Sequence, residues 1–296
     1  MLTGIHFLTT YACNFECDHC FLWSGPGSRG TFTAGQIRAV LDEAVRLGGI
    51  EMVYFEGGEP FLYYPLVLEG IRLARERGFA GGIVTNAYWA TSVEDAKLWL
   101  RPLADLGVAS ISLSDDALHY GDVRGVHAER VTAAARELGM AAKAMCTERP
   151  TVQSPPAGGP PVIAGGVMFR GRAVEKLVEG LPRRPWSDMV RCPHEDLKDP
   201  RRVHVDAEGH VHLCQGLCMG NFSKTPFSEL AKSYDGACHP IAGPLLRGGP
   251  AQLAREYGVP HEEAYVDECH LCYRVRLALL DRFPEYLGPR QVYGLK

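Results

Sequence analysis

The stretch LTGIHFLTTYACNFECDHC (residues 2–20) leads from a β-rich run directly into three cysteines, Cys13, Cys17 and Cys20. Disulfides use cysteines in pairs, and a structural zinc ion usually takes four ligands, so three close thiols satisfy neither site. His19 offers a fourth ligand to zinc, and that alternative stays open on these residues alone. Three thiolates on one loop also suit a cubane iron–sulfur cluster whose fourth iron is left free for another ligand.

Predicted strands and helices alternate along the chain after this loop. Capping boxes, Thr33 with Gln36 and Thr91 with Glu94, mark the starts of two predicted helices. Alternation of this kind predicts a parallel sheet and the α/β class. We therefore expect a partial (β/α)6 TIM-like barrel over residues 1–185. Its six predicted strands are 2–10, 51–58, 81–86, 108–116, 140–146 and 162–169.

Four unusual stretches follow the first four predicted strands. They are the cysteine loop, EGGEP (56–60), TNAY (85–88) and SDD (114–116). Parallel α/β barrels carry their active sites on the loops at the carboxyl ends of the strands. The four stretches are therefore expected to face one mouth of the barrel.

The alternation of strands and helices ends near Leu181. Residues 186–296 are predicted to form a second, small, cysteine-rich domain with one good helical stretch and a hairpin at 203–214. Between residues 149 and 161, a loop rich in proline and glycine separates the last two predicted barrel strands. Six of the ten cysteines lie in the second region: Cys192, Cys214, Cys218, Cys238, Cys269 and Cys272.

Composition narrows the classes of protein that fit. The chain has 296 residues, 22% of them charged, and a formal net charge of −4, which gives no electrostatic reason to expect nucleic acid as a partner. Neither a secretory signal nor an apolar run of membrane-spanning length is found, so no membrane partner is expected. We expect a cytoplasmic protein whose thiols are metal ligands or free cysteines.

With these motifs in order, the chain resembles the radical SAM enzymes. Cys13-x3-Cys17-x2-Cys20 matches their cluster motif, and the GGEP of residues 57–60 matches their second motif. The resemblance implies that the three cysteines hold a [4Fe–4S] cluster whose open iron binds S-adenosyl-L-methionine. His19 and Ala87 depart from the family pattern, which usually has an aromatic residue and a glycine there. By resemblance, the residues that bind the cofactor are Gly57, Gly58, Glu59, Pro60, Thr85, Asn86, Ser112, Ser114 and Asp115.

The resemblance also implies an activity. One electron from the cluster cleaves S-adenosylmethionine to methionine and a 5′-deoxyadenosyl radical, which abstracts a hydrogen atom from the substrate. Such enzymes need a reducing partner such as flavodoxin or ferredoxin. Glu59 is expected to hold the methionine ammonium group.

The cysteines of the second region resemble the twitch extension, a shortened SPASM domain. In that arrangement Cys192, Cys214, Cys269 and Cys272 hold a second, auxiliary [4Fe–4S] cluster. A zinc ribbon is the alternative, since two cysteines with a C-x2-C pair are also a zinc signature. Cys218 is the rival ligand because Cys214-x3-Cys218 could also chelate, and Cys238 is predicted to be a spare thiol.

The substrate is not determined by these motifs. The first predicted strand begins by residue 2, so no leader-binding domain is expected ahead of it. We therefore favour a small-molecule substrate that is oxidised or rearranged, with a ribosomally made peptide as the alternative. A third possibility is an iron–sulfur redox or scaffold protein without a substrate. No catalytic acid or base is assigned from the sequence.

Overall fold

A computed structural model describes residues 2–154 and 161–295 of the chain. Its first half confirms the alternation of parallel strands and helices. The strands are β1 (Gly4–Thr10), β2 (Met52–Gly57), β3 (Ala80–Thr85), β4 (Ser110–Ser114) and β5 (Ala142–Met145). The helices are α1 (Ala34–Leu47), α2 (Tyr64–Glu76), α3 (Val93–Asp105), α4 (Ala117–Tyr120) and α5 (Val126–Glu137).

The helix starts follow from local side-chain chemistry. The predicted capping box of Thr33 and Gln36 is present at the start of α1. The predicted cap of α3 is wrong by one residue, because Ser92 accepts the Asp95 N–H at 3.0 Å. Thr91 and Ser92 are each followed three residues later by an acid, so both positions match the capping pattern.

The remaining elements begin with a small hairpin. β6 (Thr151–Gln153) pairs antiparallel with β7 (Val162–Ala164) in a separate two-stranded sheet. The predicted strand at 162–169 is therefore shorter and does not join the barrel sheet. The connection between β6 and β7 consists only of residues 154–161. A parallel crossover needs a dozen residues or more, so two strands joined by so short a segment pair antiparallel. Of the predicted proline- and glycine-rich loop, residues 155–160 lie outside the described residues.

The second half of the chain completes the sheet. α6 (Ala173–Lys176) and β8 (Arg184–Pro185) are followed by β9 (Arg202–Asp206), β10 (His210–Cys214) and β11 (Leu217–Asn221). β9 and β10 form the predicted antiparallel hairpin, and β9 also pairs in parallel with β1. The sixth parallel strand is thus β9, on the far side of β1 from the position predicted. The order of the eight-stranded sheet is β11-β10-β9-β1-β2-β3-β4-β5.

The sheet is open, which confirms a partial barrel in the α/β class. Residues on both sides of the predicted boundary at 185 share this sheet, and the division into two domains stays a prediction. The last elements are α7 (Phe227–Ser233), α8 (Ala242–Tyr257), β12 (Ala264–Tyr265), which pairs with β8, and α9 (Glu268–Leu279).

The expectation of a single good helix in this region is wrong. Pro244, Gly248, Gly249 and Pro250 concealed α8 in the sequence, and α8 is kinked at its two glycines. Gly249 has φ +64°, and an added Cβ would lie 2.2 Å from the Arg191 nitrogen, so the kink packs tightly on the chain just before Cys192. Among the described residues, none of the helices is long and apolar enough to span a bilayer.

Candidate functional site

The structure brings the three motif cysteines to one cavity. Cys13, Cys17 and Cys20 follow β1 and line a cavity of about 640 Å³ at the carboxyl ends of the parallel strands. The loop is closed by backbone bonds from Cys13 N to the Gly25 carbonyl and from Cys20 N to the Cys17 carbonyl, both 3.1 Å. The expectation that the cysteines face the mouth of the barrel is met.

Arg172 holds the cysteine loop through hydrogen bonds to three of its backbone carbonyls. Its guanidinium donates to the Cys17 and Ser24 carbonyls, both at 2.8 Å, and its backbone N–H donates to the Cys20 carbonyl at 2.9 Å. Arg172 is 7% exposed, and its guanidinium lies 5.2 Å from the centre of the Trp23 ring. A lysine has no planar fork and could not hold the two carbonyls in this way.

The environment of the thiols suits a metal cluster. The Phe15 N–H points to Cys13 Sγ at 3.4 Å, and the Ser24 N–H points to Cys20 Sγ at 3.3 Å. Burial raises the pKa of Cys13 to about 11 and that of Cys17 further. Without a cation the Cys13 and Cys17 thiols stay protonated at neutral pH. Bound iron would hold the cysteines as thiolates, and the two N–H groups could donate to their sulfurs.

Two glycines bring the second motif close to the cysteine loop. Gly58 N donates to the Thr10 carbonyl at 2.7 Å, and Glu59 N donates to the Ala12 carbonyl at 2.9 Å. A Cβ on Gly58 would lie 2.1 Å from the Ala12 oxygen, and one on Gly57, which has φ +127°, would lie 2.6 Å from the Thr10 oxygen. Only glycine fits this approach at either position. Both glycines line the cavity.

The structure places Glu59 behind the cavity wall. Its carboxylate accepts from Phe61 N at 3.0 Å, Thr85 Oγ1 at 2.8 Å and Asn86 N at 2.7 Å. The side chain is fully buried, and burial raises its pKa to about 7 although these donors act in the opposite direction. The carboxylate therefore fixes the end of β3, and Pro60 beside it is also buried outside the cavity lining.

Four of the other predicted cofactor residues line the cavity, namely Thr85, Asn86, Ser112 and Ser114. Asn86 Nδ2 donates to Asn14 Oδ1 at 2.9 Å, which ties β3 to the cysteine loop. Asp115 lies outside the lining, and its carboxylate accepts from Gly125 N at 2.5 Å.

Several residues that line the cavity were not named as cofactor or catalytic residues from the sequence, although Glu56 and Asp116 lie in stretches expected at the mouth. Asp116 lines the cavity next to His119, whose Nδ1 lies 2.8 Å from its carboxylate. His19, considered only as a zinc ligand, packs edge-on against His119 with ring centres 4.7 Å apart, and burial lowers its pKa to about 4. His6 and Glu56 also line the cavity, each on a strand that reads as apolar. For these two residues the signal is a polar side chain on the inward-facing side of a strand.

The four predicted ligands of the second site line one small cavity. Cys192, Cys214, Cys269 and Cys272 meet there beside two buried arginines, Arg170 and Arg276. Arg170 Nη1 donates to Cys214 Sγ at 3.0 Å. Arg170 also pairs with Glu195 at 3.5 Å, and the Nε atoms of both arginines are buried with no hydrogen-bond partner among the described residues. A tetrathiolate metal centre is negatively charged, whether it holds iron–sulfur or zinc, and would fit beside these cations.

The rival cysteines lie outside this cavity. Cys218 is fully buried with its sulfur 3.4 Å from the Gly288 carbonyl and 3.6 Å from His212 Nδ1. Cys238 is exposed. Both residues are absent from the lining of the four-cysteine cavity.

The distances between cysteine sulfurs help to distinguish a single zinc ion from an iron–sulfur cluster. A single zinc ion with bonds of about 2.3 Å holds its tetrahedral thiolates roughly 3.8 Å apart. Within 2–154 and 161–295, no group of ligand atoms all within 4.8 Å of one another contains three cysteines. Cys17 forms such a group only with His19 and His119. Wider spacing suits a cubane cluster, where each thiolate binds a different iron.

Comparisons with known proteins agree with this geometry. Residues 7–142 match the model of the Radical SAM superfamily. YydG of Bacillus subtilis (strain 168), whose name refers to peptide biosynthesis, is 27% identical over 107 residues, 36% of this chain and 34% of its own length. The tungsten-containing aldehyde ferredoxin oxidoreductase cofactor-modifying protein of Pyrococcus furiosus is 34% identical over 110 residues, 37% of this chain and 29% of its own. The matches thus span about a third of each relative.

One solved structure shows the same fold across both halves of the chain. BtrN, crystallised in complex with AdoMet and 2-DOIA, superposes with a TM-score of 0.50 at 15% identity. The superposition covers 78% of this chain and 82% of BtrN. At this identity the likeness concerns the fold alone.

Proposed function

Since residues 7–142 form a radical SAM domain, we propose that the chain is an enzyme that reductively cleaves S-adenosylmethionine and abstracts a hydrogen atom from a bound substrate. The observation that carries the proposal is the shared cavity. It is lined by three cysteines with backbone N–H groups at two of their sulfurs and by residues from three further strand ends. A scaffold protein would not need these further loops.

The cysteine loop would hold the first cofactor. Cys13, Cys17 and Cys20 would bind a [4Fe–4S] cluster, which supplies the electron for cleavage and leaves one iron for the methionine end of S-adenosylmethionine. The backbone of Gly57 and Gly58 and the polar groups of Thr85, Asn86, Ser112 and Ser114 border the same space. These residues would orient the cofactor in the cavity.

Glu59 contributes through its neighbours in this proposal. Its carboxylate holds the Asn86 N–H and the Thr85 hydroxyl, and both residues line the cavity. Glu59 is therefore a positioning residue for the β3 end. Pro60 and Asp115 support the loops on which they lie, since neither side chain reaches the cavity.

The four-cysteine site would hold a second [4Fe–4S] cluster that can accept an electron. Arg170 borders both cavities and touches Cys214, so it lies between the substrate space and this site. The two buried arginines support a negatively charged thiolate centre here, and the wide sulfur spacing supports a cluster over zinc.

A peptide is the substrate class that the observations favour, with a small molecule as the second candidate. A relative with a name from peptide biosynthesis supports the peptide. β5 is the outermost strand of the main sheet in the described residues, and Lys143, Ala144 and Met145 on it are exposed. Such an edge can pair with an extended peptide, and Met145 also lines the cavity. The cavity volume of about 640 Å³ equally suits a small molecule.

The proposed chemistry requires a reducing compartment and a protein that donates electrons. Two clusters, and ten cysteines of which none forms a disulfide, are compatible with a reducing compartment, so we place the protein in the cytoplasm. A flavodoxin or ferredoxin would supply the electron.

The test of this function is the product of S-adenosylmethionine cleavage. The anaerobically reconstituted and reduced protein should form 5′-deoxyadenosine, and Cys17→Ala should form none. Cys238→Ala, which changes an exposed cysteine outside both cavities, is the matched control and should behave as wild type. A wild-type protein that binds iron but forms no 5′-deoxyadenosine would refute the proposal in favour of a redox or scaffold role.

A further inference from the structure

Three polar side chains from neighbouring parallel strands meet on the inner face of the sheet. His6 on β1 is the Cα partner of His204 on β9 and of Tyr54 on β2. Glu56 lies two residues beyond Tyr54 and therefore points to the same face. His6 and Glu56 line the cavity that holds the cysteine loop, and His204 lies against Glu56.

The distances between these side chains are those of ligands around one ion. His6 Nδ1 lies 3.2 Å from Glu56 Oε2, and His204 Nε2 lies 3.1 Å from Glu56 Oε1. The three ligand atoms all lie within 4.8 Å of one another. His6 Nδ1 is buried and has no hydrogen-bond partner among the described residues, so its contact with Glu56 is close but poorly aligned for donation. Poor alignment at short range is expected where a ring nitrogen and a carboxylate face a common cation.

We propose that His6, Glu56 and His204 bind one divalent transition-metal ion, with zinc as the best-suited ion. Two imidazoles and one carboxylate form a ligand set used by catalytic zinc and by non-haem iron. Three protein ligands leave coordination positions free, and two of the ligands here, His6 and Glu56, line the cavity. The ion would bind an oxygen of the substrate, as a Lewis acid that fixes the molecule beside the cysteine loop.

The neighbours of the site hold its ligands in place. The Tyr54 ring stacks on His6 with centres 4.8 Å apart, and its hydroxyl lies 3.2 Å from Ser110 Oγ. Gln215 Nε2 lies 3.4 Å from His204 Nε2, the nitrogen that faces Glu56, so a bound ion would replace this contact. The packing of Tyr54 thus orients the His6 imidazole.

The ion pairs of Glu56 lie within this cluster. Within the described ranges, Glu56 forms ion pairs only with the two histidines, and the nearby Arg202 pairs instead with Glu195 at 3.5 Å. Glu56 is 13% exposed and lines the cavity, so its oxygens can bind an ion that the two imidazoles also bind. None of the three ligands is a cysteine, so the site is independent of both proposed clusters.

The test uses protein whose clusters have been assembled first, so that the cysteines are occupied. After dialysis against Zn²⁺ without oxygen, elemental analysis should find about one zinc per chain in addition to iron. His6→Ala and Glu56→Gln should lose the zinc and keep the iron. His261→Asn changes a half-buried histidine outside the site and should keep both metals.

Anomalous diffraction at the zinc edge, on wild-type crystals, keeps the proposal testable if a variant fails to fold. A peak between His6, Glu56 and His204 would support the site. Absence of that peak, or zinc only at the four cysteines, would overturn it. Zinc content unchanged in both folded variants would overturn it as well.

Discussion

At the scale of single residues, Gly58 controls how closely the second motif approaches the cysteine loop. We expect Gly58→Ala to lower the free energy of unfolding by about 3 kcal/mol, because the new Cβ would overlap the Ala12 carbonyl and both backbones must move. Gly27→Ala, near the same loop but with no atom within 4 Å of its Cβ position, should change it by less than about 0.5 kcal/mol. Urea unfolding measures both. Equal effects of the two substitutions would contradict the close approach.

Glu59 was expected to hold the methionine ammonium group, but in the structure its carboxylate accepts hydrogen bonds from Thr85 and Asn86. We expect Glu59→Gln to cost about 1–3 kcal/mol of stability, since an amide NH2 cannot accept a hydrogen bond and so cannot satisfy all three donors. Glu76→Gln, on the surface of α2, is the control and should have little effect.

The two roles of Glu59 give different results in this experiment. A positioning role predicts lower stability together with weaker S-adenosylmethionine binding, measured by calorimetry at unchanged iron content. If binding weakens while stability is unchanged, Glu59 touches the cofactor directly, as the family resemblance implied.

At this scale, the sequence predicted which residues lie near the cavity but not the direction in which each side chain points. The motif spacing predicted that Gly57, Gly58, Thr85 and Asn86 meet at one cavity, because parallel strands end at the same edge. It could not show that Glu59 turns inward to three donors, since that depends on the path of the chain after Gly58. The sequence could not predict that His6 meets Glu56 and His204, because register with β9, nearly 200 residues beyond His6, brings His204 to them.

At the scale of elements, the hairpin of β9 and β10 is tied to the cysteine loop by one carboxylate. Asp206 is fully buried and accepts from the Tyr11 hydroxyl at 2.8 Å, from Glu208 N at 2.9 Å and from His212 Nε2 at 3.0 Å. Tyr11 lies two residues before Cys13. The hairpin therefore helps to fix the start of the loop.

Asp206 should also make stability depend on pH. Although burial alone would raise it, the hydrogen bonds and the neighbouring histidines hold the pKa of Asp206 well below its usual range. A pKa depressed in the folded state adds stability above the unfolded value of about 3.9, and that stability is lost as the pH falls through the folded pKa. We expect Asp206→Asn to cost about 3 kcal/mol at pH 7 and progressively less below about pH 4.

Urea unfolding of the metal-free protein between pH 7 and pH 3.5 measures this effect. Asp281→Asn is the control, because Asp281 is 89% exposed and its pair with Arg290 is on the surface. A cost for Asp206→Asn that does not change with pH would show that the carboxylate charge is unimportant.

The elements show where local patterns suffice and where they do not. Helical spacing and capping predicted α1, and alternation with a glycine turn predicted the β9–β10 hairpin. Pairing between distant strands was not predictable in this way, since a strand pattern states which face is apolar but not which neighbour it joins. For that reason β9 lies beside β1, while the strand expected after β5 became a separate hairpin.

At the scale of the whole molecule, Arg170 links the two proposed cofactor sites. It lines both cavities and donates to Cys214 Sγ at 3.0 Å. A positive charge and an N–H at a cluster sulfur stabilise the reduced form, which carries more negative charge. We expect Arg170→Gln to lower the reduction potential of the second cluster, measured by redox titration with electron paramagnetic resonance.

Arg202→Gln is the matched control for this prediction. Arg202 lines the first cavity and pairs with Glu195, as Arg170 does, but does not line the four-cysteine cavity. Its substitution should leave the potential of the second cluster near the wild-type value. The same shift in both variants would mean that the effect is one of distant charge and not of the Arg170–Cys214 contact.

The central claim is that seven cysteines hold two clusters, of which only one has an iron open to S-adenosylmethionine. Mössbauer spectroscopy of protein reconstituted with ⁵⁷Fe tests it directly. We expect about eight irons per chain, of which one changes its signal when S-adenosylmethionine is added. Cys13, Cys17 and Cys20 replaced together by Ala should leave about four irons and no such change, and Cys269→Ala with Cys272→Ala should leave about four irons with the change intact. Full iron content in the triple variant, or stoichiometric zinc at the four-cysteine site, would contradict the account.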